Sequence, residues 1–150
     1  MNPNLLSTLE AQTKNHPDEE RSKLKIHVLR NLIQKLEQDE NEEIAADLEK
    51  LIQNIPKPGA NWGARNEFRK SLKSIQKKVR MIFGYVQKGT LKNEASGKWM
   101  GAGLAIGVAL GSGMENQGAG IPIGIAIGAG IGSSKGAAAE KKAEQDGLVY

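Results

Sequence analysis

Through the first half of the chain apolar residues recur at spacings of three and four, and polar runs between them mark helix boundaries. Leu24, Val28, Leu29, Leu32, Ile33 and Leu36 trace one stripe. Pro17 stands at a first helical position, with Asp18, Glu19 and Glu20 in the turn behind it, where the helix dipole favours carboxylates. The polar run Glu37–Glu43 interrupts the stripe. Ile44, Leu48, Leu51, Ile52 and Ile55 resume it until Pro56 and Pro58 stop it. Two amphipathic helices joined by an acidic turn, packed as an antiparallel hairpin, fit this pattern. A single long helix fits the same residues, because Asp39–Glu43 holds neither glycine nor proline. From Gly63 to Lys88, Phe68, Leu72, Ile75, Val79, Ile82 and Val86 step by four and three in turn. That 3.5-residue repeat predicts a helix with an apolar seam for packing against other helices.

The pattern changes character at Trp99. Gly103, Gly107 and Gly111 stand four apart, and Gly120, Gly124, Gly128, Gly132 and Gly136 do the same, in two blocks around Glu115-Asn116-Gln117. On a helix this spacing draws a smooth groove down one side, where a second backbone can approach closely. Leu104, Ile106, Val108 and Leu110, then Ile121, Ile123, Ile125, Ile127 and Ile131, cover the other faces. Two tightly packed antiparallel helices with a polar tip at Glu115 are predicted, with Pro122 near the start of the second. Alternation by twos of Ile121, Ile123, Ile125 and Ile127 keeps a β-hairpin open as a rival. The unbroken fourfold glycine spacing favours helix.

Composition narrows the chemistry. Among 150 residues there is no cysteine and only two histidines, which removes disulfides, thiolate zinc sites and thiol nucleophiles together. His16 and His27 read as a cap residue and a helix-flank residue rather than as ligands. The acidic turn does not have the spacing of a calcium-binding EF-hand loop. The glycine run Gly128–Gly136 has no Gly-Lys-Ser/Thr, so a phosphate-binding loop fails too. No catalytic residues, metal or cofactor are expected, and a non-enzymatic role follows.

Charge divides the chain further. Residues 1–56 carry 7 basic and 11 acidic side chains, residues 57–98 carry 11 and 2, and residues 99–150 carry 3 and 4. An acidic helical hairpin (1–56), a basic amphipathic helix with linker (57–98), a membrane-type hairpin (99–136) and a charged tail (137–150) are expected. The basic helix can complete a bundle with the acidic pair, and its outer charges can also meet anionic lipid. Nucleic acid is a weaker partner, because few aromatics accompany the charges and no recognised motif is present.

Length sets the membrane expectation. Trp99–Met114 and Asn116–Ser134 lack charge over 16 and 19 residues, about 24 and 28 Å as helices against a hydrocarbon core of about 30 Å. Lys88, Lys92 and Lys98 precede the first block, and Lys135, Lys141 and Lys142 follow the second. By the positive-inside rule both ends stay in the cytoplasm, with Trp99 at the interface. The opening residues have no secretory-signal pattern, so synthesis in the cytoplasm is expected, with export by another route open.

The run KWMGAGLAIGVALGSGMENQGAGIPIGIAIGAGIGSSKGAAAEKKAEQDG, residues 98–147, resembles the bacterial glycine-zipper proteins. Their pattern is two Gly-x-x-x-Gly helices around a short polar turn, then a Lys/Glu tail. Gly103, Gly107, Gly111, Gly120, Gly124, Gly128 and Gly132 carry the likeness, and Pro122 departs from the usual uninterrupted run. The resemblance implies a helical hairpin and, in kind, the membrane-permeabilising toxins and secreted effectors that use glycine zippers.

The expected protein is therefore all-α. It has an N-terminal bundle of about three amphipathic helices and a C-terminal glycine-zipper helical hairpin that inserts into a bilayer and self-associates, with a pore or a destabilised membrane as the outcome. Lys73, Lys77, Lys78 and Trp99 are the expected membrane-surface contacts. Anionic lipid, a second copy of the chain and a protein bound by the bundle are the expected partners. The alternative is a soluble helical interaction module with the hairpin packed internally.

Overall fold

The computed structural model describes residues 4–39, 41–113 and 117–150. They form seven α-helices: α1 (Leu5–Thr13), α2 (Asp18–Leu24), α3 (Ile26–Leu36), α4 (Glu42–Gln53), α5 (Trp62–Phe83), α6 (Thr90–Gly113) and α7 (Gln117–Gln145). No strand occurs among the described residues, so the fold is all-α and residues 120–132 are helical. The chain divides into two units, one running to Gln87 and including Tyr150, the other comprising Lys88–Val149.

The first unit holds five helices where the apolar pattern predicts about three. The stripe from Leu24 to Leu36 is broken at Lys25, which adopts a left-handed conformation at φ +59°. Its backbone N–H turns back to the Arg21 and Ser22 carbonyls and closes α2. The break lets Leu24 and Ile26 both enter the core, at 2% and 8% exposure. On a continuous helix residues two apart diverge by about 200° and could not share a face. A further helix, α1, adds buried Leu5 and Leu9, and lies against both α3 and α4. The Arg21 guanidinium, from Nε at 3.1 Å and Nη2 at 2.8 Å, donates to the Thr13 carbonyl at the C-terminus of α1. His16 directly precedes the N-cap Pro17 and is buried, and its Nε2 donates to the Pro56 carbonyl at 2.7 Å. His27 is exposed on α3.

Asparagines start the next two helices. Asn41 Oδ1 accepts from the Ile44 N–H at 3.0 Å, and Asn61 Oδ1 accepts from the Ala64 N–H at 2.9 Å, each satisfying an otherwise orphaned donor. The acidic turn does separate α3 from α4. Gly84 closes α5 at φ +76°, earlier than the 3.5-residue repeat suggests. The buried seam of α5 is thus Phe68, Leu72, Ile75 and Val79, while Ile82 is 47% exposed.

These elements share one core built on Leu29, Leu32, Leu36, Ile44, Leu48, Ile52 and Val79. Leu48→Ala should lower bundle stability by about 2–5 kcal/mol, the transfer and cavity cost of a fully buried leucine. Urea unfolding of the full chain, followed by circular dichroism, measures it as a lower midpoint at unchanged slope.

The edge of the core is aromatic. Tyr85 stacks on Phe83, donates from its hydroxyl to Asp39 Oδ2 at 2.8 Å, and carries the Lys35 ammonium 4.9 Å from its ring centroid. Tyr150 is held to the first unit. Its N–H donates to the Val86 carbonyl at 3.2 Å and its hydroxyl accepts from Gln76 Nε2 at 3.2 Å. The bond to Asp39 pushes the Tyr85 phenol upward. Burial does the same for Tyr150, partly opposed by Gln76. A raised folded value means that the folded state keeps its proton longer than the unfolded chain. Both contributions are therefore intact below the ordinary tyrosine range and are lost as pH rises through the folded values. Absorbance titration should show both phenols ionising above the ordinary range, with the first unit losing stability over that window.

Candidate functional site

In the second unit the glycines at fourfold spacing face one another. A Cβ added at Gly107 would stand 2.6 Å from the Gly120 carbonyl oxygen and 3.1 Å from Gly124 Cα. At Gly124 it would lie 2.6 Å from Gly107 Cα, and at Gly120 2.5 Å from Gly111 Cα. The same closeness continues outward. Gly103 meets Gly124 and Gly128, Gly128 meets Trp99, Gly132 meets Ser96, and Gly136 meets Lys92. Paired residue numbers thus run in opposite directions, so α6 and α7 form an antiparallel hairpin in one fixed register. At this distance two backbones touch directly, gaining dispersion and Cα–H···O contacts that any larger residue would prevent.

All seven sequence-predicted packing glycines, Gly103, Gly107, Gly111, Gly120, Gly124, Gly128 and Gly132, are buried in this interface. Gly136 belongs with them, and its place in the same fourfold series was the sign. Gly97, Gly101, Gly113 and Gly130 do not belong: a Cβ on any of them would meet nothing within 4 Å. The polar tip, including Glu115, lies outside the described residues.

The arrangement inverts an ordinary helix pair. The only buried residues of α6 are Gly103, Gly107 and Gly111. Its leucines, valine and isoleucine point outward, with Ile106 at 50% exposure, and Ile123, Ile127 and Ile131 do the same on α7. In water such a hairpin fully buries no large apolar side chain, although Ile121 and Ile125 of α7 are partly buried, so the hydrophobic effect contributes less to closing it than in an ordinary helix pair. An apolar exterior of this kind marks a surface made to be covered. Neither helix meets the dimensions for spanning alone, however: among the described residues no helix is long and apolar enough to cross a membrane.

The end opposite the tip is polar and braced. Lys88 pairs with Glu144 at 3.1 Å, and the Gly89 N–H donates to Glu140. Trp99 is half-buried there, with the Lys135 ammonium 5.2 Å from its ring centroid. The antiparallel pairing gathers Lys92, Lys98, Lys135, Lys141 and Lys142 toward this one end.

The lysines predicted on α5 separate into two sets. Lys73 and Lys77 are exposed. Lys78 is turned toward α4, where its ammonium pairs with Asp47 at 2.5 Å and Glu43 at 2.9 Å. Hydrogen bonds to Asp47 and Glu43 push its pKa up, so its charge serves the α4–α5 contact. Beside that contact a cavity of about 700 Å³ opens between α4 and α5 over Leu51, Phe68 and Ile75, with Ser71 and Ser74 along its flank.

Among the described residues, no three histidine, aspartate or glutamate side chains gather in a way that could hold a metal ion. No protein family, curated protein or solved structure matches this chain. The glycine-zipper likeness therefore rests on the residues that carry it.

Proposed function

We propose that the chain is a non-enzymatic, membrane-associating protein whose glycine-zipper hairpin enters lipid as a closed pair. The observation that supports this is the inverted hairpin, with glycines between the helices and leucine and isoleucine side chains outside. Lipid covers that exterior at no cost to the glycine contacts, whereas water leaves it exposed. Insertion proceeds tip-first from one face, with the lysine-rich end and Trp99 at the headgroups. Because the zipper glycines are occupied within each chain, self-association falls to the outer apolar ridges. Several hairpins gathered in one bilayer would thin or perforate it, the action of a toxin or secreted effector.

The cavity between α4 and α5 favours a second reading, in which the bundle holds a protein partner and the hairpin serves that complex. Dye release and co-flotation with phosphatidylserine-containing and neutral vesicles separate the two. The membrane reading predicts flotation and leakage on the anionic vesicles, whereas failure to float on either vesicle type sinks it.

A further inference from the structure

The outward side of α5 lies opposite its buried seam. The buried seam Phe68, Leu72, Ile75 and Val79 occupies one side of this helix. Arg69, Lys70, Lys73 and Lys77 project from the other, and all four are exposed. Glu67 is the only carboxylate on α5, and it lines the cavity toward α4. Lys78, which pairs with Glu43 and Asp47, sits on that inner flank. Two large apolar side chains bracket the cationic stretch: Trp62 at 73% exposure and Met81 at 71%. They are separated along the helix by about 28 Å at 1.5 Å per residue.

We propose that this face of α5, from Trp62 to Met81, is a docking surface for an anionic lipid bilayer. A helix lying in the plane of the interface needs cations to meet headgroup phosphates and carboxylates, and apolar side chains to reach below them. Here Arg69, Lys70, Lys73 and Lys77 lie between an indole, the side chain most at home at the interface, and a thioether. A nucleic-acid backbone would use the same charges but would leave Met81 in water, and no aromatic is interleaved among the lysines. The proposal rests on the membrane reading for its choice of partner. It concerns a different surface and a different kind of contact: reversible, charge-driven and sensitive to salt.

The two tryptophans allow the surfaces to be read separately in the full chain. In a Trp99→Phe variant only Trp62 fluoresces, and in a Trp62→Phe variant only Trp99 does. Vesicles of phosphatidylcholine with phosphatidylserine, and of phosphatidylcholine alone, are titrated at low and high salt. The expected result is a blue shift of Trp62 on the anionic vesicles only, reversed by salt. The triple variant K70Q/K73Q/K77Q should weaken that binding about a hundredfold, the fold-change equivalent of ~1 kcal/mol per cation. These residues are exposed, so unchanged circular dichroism confirms that the variant is folded. A Trp62 emission unmoved by anionic vesicles at low salt, equal shifts on neutral vesicles, or full binding by the triple variant would each overturn the proposal. So would binding of duplex DNA in the absence of vesicle binding. If Trp99 responds while Trp62 does not, hairpin insertion stands and α5 docking falls; the converse result retains docking and removes insertion.

Discussion

Gly124→Ala should open the hairpin, and Gly130→Ala, six residues away on the same helix, should stabilise it. The first Cβ would stand 2.6 Å from Gly107 Cα and closer still to the Gly103 carbonyl oxygen. Both are backbone atoms that cannot rotate aside. Relief requires the helices to separate over several turns, which also breaks the contacts at Gly103 and Gly107. A cost toward the upper end of ~1–3 kcal/mol is expected for alanine, and more for leucine. The second Cβ would meet nothing within 4 Å. It only removes glycine's excess freedom in the unfolded chain, a gain of about 0.5–1 kcal/mol in a helix interior. Spin labels on the outward residues Ala102 and Ala126 report the helix separation as a distance distribution. Gly124→Ala should broaden and lengthen it, while Gly130→Ala should leave it narrow and raise the unfolding midpoint. Equal effects of the two variants would show that the zipper is not the contact that closes the pair.

Ile106→Lys and Ile123→Lys should have the complementary effect. Both isoleucines are about half exposed, so neither substitution disturbs the glycine interface, and helicity and hairpin closure in water should be preserved. In hydrocarbon each lysine costs about 2.5–3.5 kcal/mol near the centre of the bilayer. Each variant should therefore float with vesicles on the order of a hundredfold less well at equal lipid, and leakage should fall with it. Surface substitutions that change no protein contact rarely have consequences of this size. Normal leakage by the double variant would place the apolar exterior outside the lipid.

Much of this arrangement could be read from the residues because glycine spacing admits few alternatives. A period of four sustained from Gly120 to Gly136 draws one continuous groove on a helix, whereas on a strand it would only place the glycines at every second position of one face, opposite Ile121, Ile123, Ile125 and Ile127. The α5 seam was legible for the same reason as far as Val79; Ile82 is still helical but half exposed, and Gly84 ends the helix before Val86. The break at Lys25 was not. A lysine carries no mark of a left-handed conformation, and the gain that pays for it, simultaneous burial of Leu24 and Ile26, exists only once the core is assembled. Helix α1 was obscure because only Leu5 and Leu9 of its nine residues supply its buried apolar face. The lysines of α5 differ in position rather than type. Lys78 precedes Val79 on the flank of the seam, but its partners Glu43 and Asp47 come from another helix. Gly101 and Gly130 stand two residues off the fourfold series, which turns them to the opposite side of their helices, and a Cβ on either would meet nothing within 4 Å.

The same absence of cysteine that limited the chemistry makes the decisive measurement simple. A single cysteine, introduced in turn at Leu104, Ile106, Ile123 and Ile127 and spin-labelled, is compared with one at Lys73 on vesicles containing phosphatidylserine. Accessibility to oxygen, which concentrates in hydrocarbon, is set against accessibility to a water-soluble nickel chelate. Hairpin insertion predicts that the four hairpin labels become oxygen-accessible and chelate-protected, while Lys73 remains open to the chelate at the surface. Four hairpin labels that stay as open to the chelate as Lys73, with the chain bound to the vesicles, would contradict it.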